Sequence, residues 1–197
     1  NCKEVAGRLT ATRRKAATTV ERGMKDRLVP LGIPKVRFSI SIEPREFQRD
    51  GCDAVAFLFS ANSSSDMMPI SQVASGGEIA RVMLSLKAMI SNAVKLPTII
   101  FDEIDTGVSG KIAEKMALIM QEMAQSERQV ISITHLPQIA ARGTTHYKVY
   151  KEETENGTES TMTRLNDEQR VNEIAQMLSG SDITDAAKHN AKDLLGA

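Results

Sequence analysis

Tryptophan is absent, aromatic residues make up 4% of the 197 residues, and only two cysteines occur, Cys2 and Cys52. Two thiols cannot staple a small disulfide scaffold and read as those of an intracellular protein. The fold must therefore rest on apolar burial, for which 41% hydrophobic residues suffice. Charge of one sign is also lacking, since 25 Lys+Arg balance 25 Asp+Glu. A neutral chain has no global field to steer it onto nucleic acid. The local cluster Arg13-Arg14-Lys15 reads as a solvated helix face. No apolar run approaches the roughly 20 residues of a membrane span. The start lacks the apolar stretch of roughly 7–15 residues that marks a secretory leader. These absences predict a cytoplasmic protein with no membrane partner. No Cys/His spacing fits zinc, and neither GxSxG nor HExxH occurs. The chain opens on Asn1 rather than Met, which predicts a piece of a longer protein.

What is present divides into three textures. Residues 1–29 predict a helix with Val5, Leu9, Ala16, Val20, Met24 and Leu28 near one face, a stripe thin enough to need a partner. Pro30, Gly32 and Pro34 end it. Val36–Ile42 and Ala54–Ser60 read as strands joined by a long charged loop. From Ser75 a helical period places Ile79, Val82, Met83, Leu86, Ile90 and Val94 inward. Thr98–Phe101 and Val130–Ile133 then read as short strands buried on both faces. The helix between them, 110–124, turns Ile112, Met116, Ile119 and Met123 inward. Strand, helix, strand is the crossover unit of a parallel sheet. Farther on, a hairpin is expected around Asn156-Gly157, then a helix over 167–178 stopped by Gly180, and a last helix after Thr184.

Four places carry candidate chemistry. Ser75-Gly76-Gly77-Glu78 reads first as a capping box, but that does not explain two glycines. Glycines at a helix start let an anion approach exposed N–H groups. In Thr98–Glu103 the apolar run Ile99–Phe101 leads into Asp102 and Glu103, placing both acids at the C-terminal end of a buried strand, where open parallel sheets form their ligand crevice. An aspartate there can hold Mg²⁺ with phosphates, and a glutamate can orient or deprotonate water. The competing structural reading is a solvated acidic loop. His135 follows the second strand and is expected at the same edge. Asp105–Gly110 reads as a loop capped by Ser109, which leaves Asp105 without a purpose.

Together these segments resemble the second half of an ABC-type ATPase head. SGGE is similar to the signature motif, TIIFDE to Walker B with its glutamate, Asp105 onward to the D-loop, and His135 to the switch histidine. The stretches Phe57–Asn62, Ala74–Lys87, Phe101–Gly110 and Thr134–Ala141 narrow the resemblance to the RecN family of SMC-like DNA repair proteins, over about residues 1–195. The resemblance implies an α/β fold: the C-terminal lobe of an ABC/SMC-type P-loop head with a parallel βαβ core and an extra hairpin. Residues 1–29 would end a coiled-coil arm and 30–197 would form the lobe. It implies ATP and Mg²⁺ as cofactors, with Asp102 on the metal through water. Glu103 and His135 would be catalytic, and Ser75, Gly76, Gly77, Glu78 and Asp105 would lie at ATP, Asp105 crossing a dimer of heads.

One departure bears on all of this. No GxxxxGK[ST] occurs; the nearest stretch, Gly107–Lys111, is followed by Ile112. The phosphate loop of the family lies in an N-terminal lobe. The expected partners are therefore that lobe, a second head and DNA, in a cytoplasmic, nucleoid-associated protein, with the fragment alone inactive. Three other readings remain at this point: another chromosome-handling SMC-like ATPase, a coiled-coil structural module without catalysis, and a different Mg²⁺ enzyme using the acidic pair.

Overall fold

The computed structural model describes residues 1–73, 75–91, 93–94, 96–125, 128–154, 157–180 and 182–196. The chain forms two compact units, Asn1–Leu96 with Thr106–Val108, and Pro97–Asp105 with Ser109–Ala197.

The first unit holds a long helix α1 (Cys2–Leu28), strands β1 (Arg37–Gln48), β2 (Gly51–Ser60) and β3 (Met68–Pro69), and helix α2 (Gly76–Ser91). The strands form one antiparallel sheet in the order β1-β2-β3. The predicted long loop between the first two strands does not exist. Pairing continues outward to Gln48 opposite Gly51, with a register shift between Pro44 and Gln48. Glu43–Gln48 is charged because the outer end of this ribbon faces water. Arg45 closes the turn on Asp50, Nη2 to Oδ1 at 2.5 Å, and that guanidinium holds the Asp50 carboxyl below its usual range.

The core of this unit gathers Met24, Leu28, Ile33, Val36, Phe59 and Val82. The buried stripe of α1 differs in its first half from the predicted one: Ala6, Ala17, Met24 and Leu28 are buried, while Val5 is 56% exposed. Polar residues occupy the stripe between the alanines. Thr10 donates its hydroxyl to Asp53 at 2.8 Å, and Arg13 donates Nη1 to the same carboxylate at 2.8 Å. Asp53 is buried on β2, so charge and hydroxyl fasten the helix to the hairpin. In α2 the buried residues are Val82, Leu84, Ser85, Ala88 and Ser91, whereas Ile90 and Val94, expected inward, are exposed. Ser85 and Ser91 return their hydroxyls to Arg81 O and Ala88 O, each at 2.8 Å, and so pack as small residues. Small residues there permit close approach: a Cβ on Gly23 of α1 would lie 2.6 Å from Met89 Cε of α2.

The second unit starts with β4 (Thr98–Asp102), α3 (Gly110–Ala124) and β5 (Gln129–Ile133). β4 and β5 are parallel, with Thr98 opposite Gln129 and Asp102 opposite Ile133. This is the predicted βαβ unit, and α3 has the predicted bounds. Its buried face carries Ala113, Met116, Ala117, Met120 and Met123, one step from the expected Ile112 and Ile119. The strands are not buried on both faces. Ile99 and Phe101 are covered, but Ile100 is 55%, Ile131 39% and Ile133 53% exposed. A short helix α4 (Pro137–Ala140) leads to the hairpin β6 (Tyr147–Thr154) and β7 (Gly157–Arg164), then α5 (Asp167–Ser179) and α6 (Asp185–Leu195). The expected turn residue Asn156 lies outside the described residues. Asn166 and Gln169 form a full capping box at α5, and the Thr184 side chain caps α6. Ala141, Ile174, Ala175, Ala187 and Ala191 make the core here. Among the described residues no helix is long and apolar enough to cross a membrane.

Candidate functional site

Parallel strands in register must end at the same edge, and that fixes where the acids and the histidine emerge. Asp102 is the last residue of β4, and Glu103 donates its N–H to Ile133 O, the last carbonyl of β5, at 3.2 Å. Two residues past Ile133 stands His135. Asp102, Glu103 and His135 are all exposed, His135 with 66% of its side chain accessible. The structure therefore brings these three predicted residues to one rim of the second unit. Glu103 adopts φ +47°, a left-handed conformation rare for a residue with a Cβ.

Asp105 lies at this rim but points inward. It is fully buried, and its Oδ2 accepts the Thr134 hydroxyl and, at 3.3 Å, the His135 N–H. The Nδ1 atom of His135 is 3.5 Å from the same oxygen. Within this chain the Asp105 carboxylate is thus covered and engaged by the turn that carries His135. Thr134 was missed by sequence reasoning. Its hydroxyl also accepts the Leu136 N–H at 3.0 Å, which fastens the turn around His135. Its adjacency to a histidine after a strand was the available signal. Ser109 sits at the start of α3, where the loop reading put it, but makes no side-chain cap bond.

The glycine motif belongs to the first unit. Ser75 Oγ accepts the Glu78 N–H at 3.4 Å, one arm of the expected capping box. The residue before it, Ala74, lies outside the described residues. The two glycines have different reasons to be glycine. A Cβ on Gly77 would come within 3.1 Å of Thr106 O, so packing requires its absence. A Cβ on Gly76 would meet nothing within 4 Å. Gly76 therefore presents bare backbone at the start of a 16-residue helix, where N–H groups and the helix dipole favour an anion. Arg81, also missed from the sequence, braces this turn: Nε donates to Gly77 O and Nη1 to Leu31 O, both at 2.9 Å.

Among the described residues no group of three His, Cys, Asp or Glu side chains could hold a metal alone. Magnesium needs only one or two carboxylates when phosphates and water complete its shell. An exposed Asp102 at a strand end suits that role.

Comparison with solved structures gives the class. The fold is that of an SMC-type ATPase head: a chain from a study of ATP-driven dimerization and DNA-stimulated activation of SMC ATPases matches with TM-score 0.59 and 18% identity, over 88% of this chain and 99% of that one. The Smc head domain with coiled coil and joint from Pyrococcus yayanosii matches with TM-score 0.64 and 19% identity, over 85% of this chain and 30% of that one. No family model matches. Among curated proteins, the DNA repair protein RecN of Halalkalibacterium halodurans is 36% identical over 192 residues, and that of Rickettsia conorii 39% over 192, covering 95% and 98% of this chain. The RecN of Bacillus subtilis is 40% identical over 153 residues, 78% of this chain. The chain belongs to the RecN family. It spans 34% and 35% of the length of the first two relatives and 26% of the third.

Proposed function

We propose that this chain is the C-terminal lobe of an SMC-like ATPase head that serves DNA double-strand break repair and recombination. The observation that carries the reading is the shared rim, where Asp102 and Glu103 leave β4 beside the turn that presents His135, joined by the Glu103 N–H bond to Ile133 O. Residues 1–29 are the end of a coiled-coil arm, and 30–197 the lobe. The exposed isoleucines of β4–β5 support an incomplete head, because parallel sheets are stable when both faces are covered. The rest of the head supplies that cover and the phosphate loop, which this sequence lacks.

In the assembled head Asp102 would hold Mg²⁺. The metal, when bound, neutralises charge on the phosphates. Glu103 orients the attacking water and takes its proton, and His135 donates to the terminal phosphate. Ser75, Gly76 and Gly77, followed by Glu78, present the start of α2 to ATP held by a second head. ATP thus closes a dimer and hydrolysis opens it, a cycle that arms convert into holding DNA in the nucleoid. RecN is favoured over other chromosome-handling SMC proteins by 36–39% identity to RecN, against 18–19% to the SMC structures. The test is Glu103→Gln in the full-length protein. ATP turnover should fall by at least about 100-fold while ATP stays bound and the closed dimer accumulates. Turnover at the parental rate refutes the assignment.

A further inference from the structure

The buried carboxylate of Asp105 is not explained by nucleotide binding or by the sheet. A charged group pays heavily for leaving water unless something needs its charge, and this one is fully buried. Its surroundings show what it holds. Oδ2 gathers the Thr134 hydroxyl, the His135 N–H at 3.3 Å and the His135 ring, Nδ1 at 3.5 Å. Oδ1 is buried with no hydrogen-bond partner among the described residues, so the grip runs through one oxygen. On the other side, Asp105 is two residues from Glu103, whose left-handed backbone has to be held in place by what surrounds it. Two ties thus cross between the loop after β4 and the turn after β5: Glu103 N–H to Ile133 O, and Asp105 to Thr134 and His135.

We propose that Asp105 is a positioning residue, with Thr134 as its partner, that locks the loop bearing Glu103 to the turn bearing His135. Through Oδ2 it fixes the His135 backbone and keeps the Nδ1 edge of the ring turned inward, which leaves the Nε2 edge for a ligand. Through the short link to Glu103 it holds that residue's strained backbone. The two groups are set relative to one another before substrate arrives, which matters because about 1 Å of misplacement can cost 100-fold in rate. The role rests on the reading of Glu103 and His135 given above.

The experiment measures ATP turnover and ATP affinity in the full-length protein for Asp105→Asn, Thr134→Val, Thr134→Ser and Glu103→Gln. Asp105→Asn and Thr134→Val should lower kcat about 10- to 100-fold, with the ATP Kd within about twofold of the parent. Thr134→Ser keeps the hydroxyl and should restore at least about half of the parental kcat. If Asp105→Asn does not fold, the two Thr134 variants decide. Parental kcat in folded Asp105→Asn or Thr134→Val, beside an inactive Glu103→Gln, overturns the positioning role. So does a loss carried by ATP affinity instead of kcat, or a Thr134→Ser variant as impaired as Thr134→Val. An active Glu103→Gln instead removes the underlying reading of the site, whatever the Asp105 and Thr134 variants do.

Discussion

Replacing Ile100, Ile131 and Ile133 together by threonine should leave this chain almost as stable as before and yet cripple its union with the rest of the head. The three side chains are 55%, 39% and 53% exposed on the open face of β4–β5. Burying a whole isoleucine stabilises by about 1.5–3 kcal/mol, so covering the exposed half of each contributes about 1 kcal/mol, or roughly 3 kcal/mol for the three. That corresponds to about a 100-fold change in an association constant. Threonine keeps the β-branch a strand prefers, and each exposed replacement should cost the isolated chain within about 0.5 kcal/mol. The assay has two arms. Thermal unfolding of the chain reports its own stability, and titration with the separately produced remainder of the full-length protein reports association. An unchanged association constant refutes the claim that this face is the seam. A loss of chain stability equal to the loss of affinity refutes it too, since the isoleucines would then be covered already.

Two further outcomes follow from named contacts. Ser75→Arg should block ATP-driven dimerization of full-length protein, measured by light scattering, while nucleotide binding to each head persists; undiminished dimerization would take Ser75 out of the interface. The Arg13 guanidinium and the Thr10 hydroxyl hold the Asp53 carboxyl below its usual range. A depressed folded pKa means that the stabilisation is complete above the unfolded value of about 3.9 and is lost as pH falls through the lower folded value. Urea midpoints followed by circular dichroism should therefore drop more steeply below about pH 4 in the parent than in Asp53→Asn. Parallel curves for the two would show that the clamp on α1 does not couple to folding.

Much of the fold was legible because its signals are local. Gly110–Ala124, the parallel strands, the Gly180 stop and the Thr184 cap can each be read from a few neighbouring residues. What was not legible depends on partners far along the chain. Arg13 reads as part of a solvated cluster because Asp53, which satisfies it, lies 40 residues away, and nothing beside Thr10 marks it as a second partner of that carboxylate. Ser85 and Ser91 are absent from the expected buried face, yet each spends its hydroxyl on its own helix and is buried. The rim itself followed from strand ends, so Asp102, Glu103 and His135 could be placed together from the sequence. The inward turn of Asp105 could not, because it depends on Thr134, 29 residues later. The open isoleucine face escaped for a different reason: a run of apolar residues predicts two covered faces, whereas Ile100, Ile131 and Ile133 stand exposed on one of them.

The proposed function puts the catalytic groups on the rim of β4 and β5 and the phosphate loop in the rest of the head. Steady-state ATP hydrolysis tests it most directly, measured on this chain alone and after addition of the remainder of the full-length protein, each with and without Glu103→Gln. The chain alone should show no turnover, and Glu103→Gln should abolish the turnover that appears after addition. Robust hydrolysis by the chain alone, lost in Glu103→Gln, would contradict it.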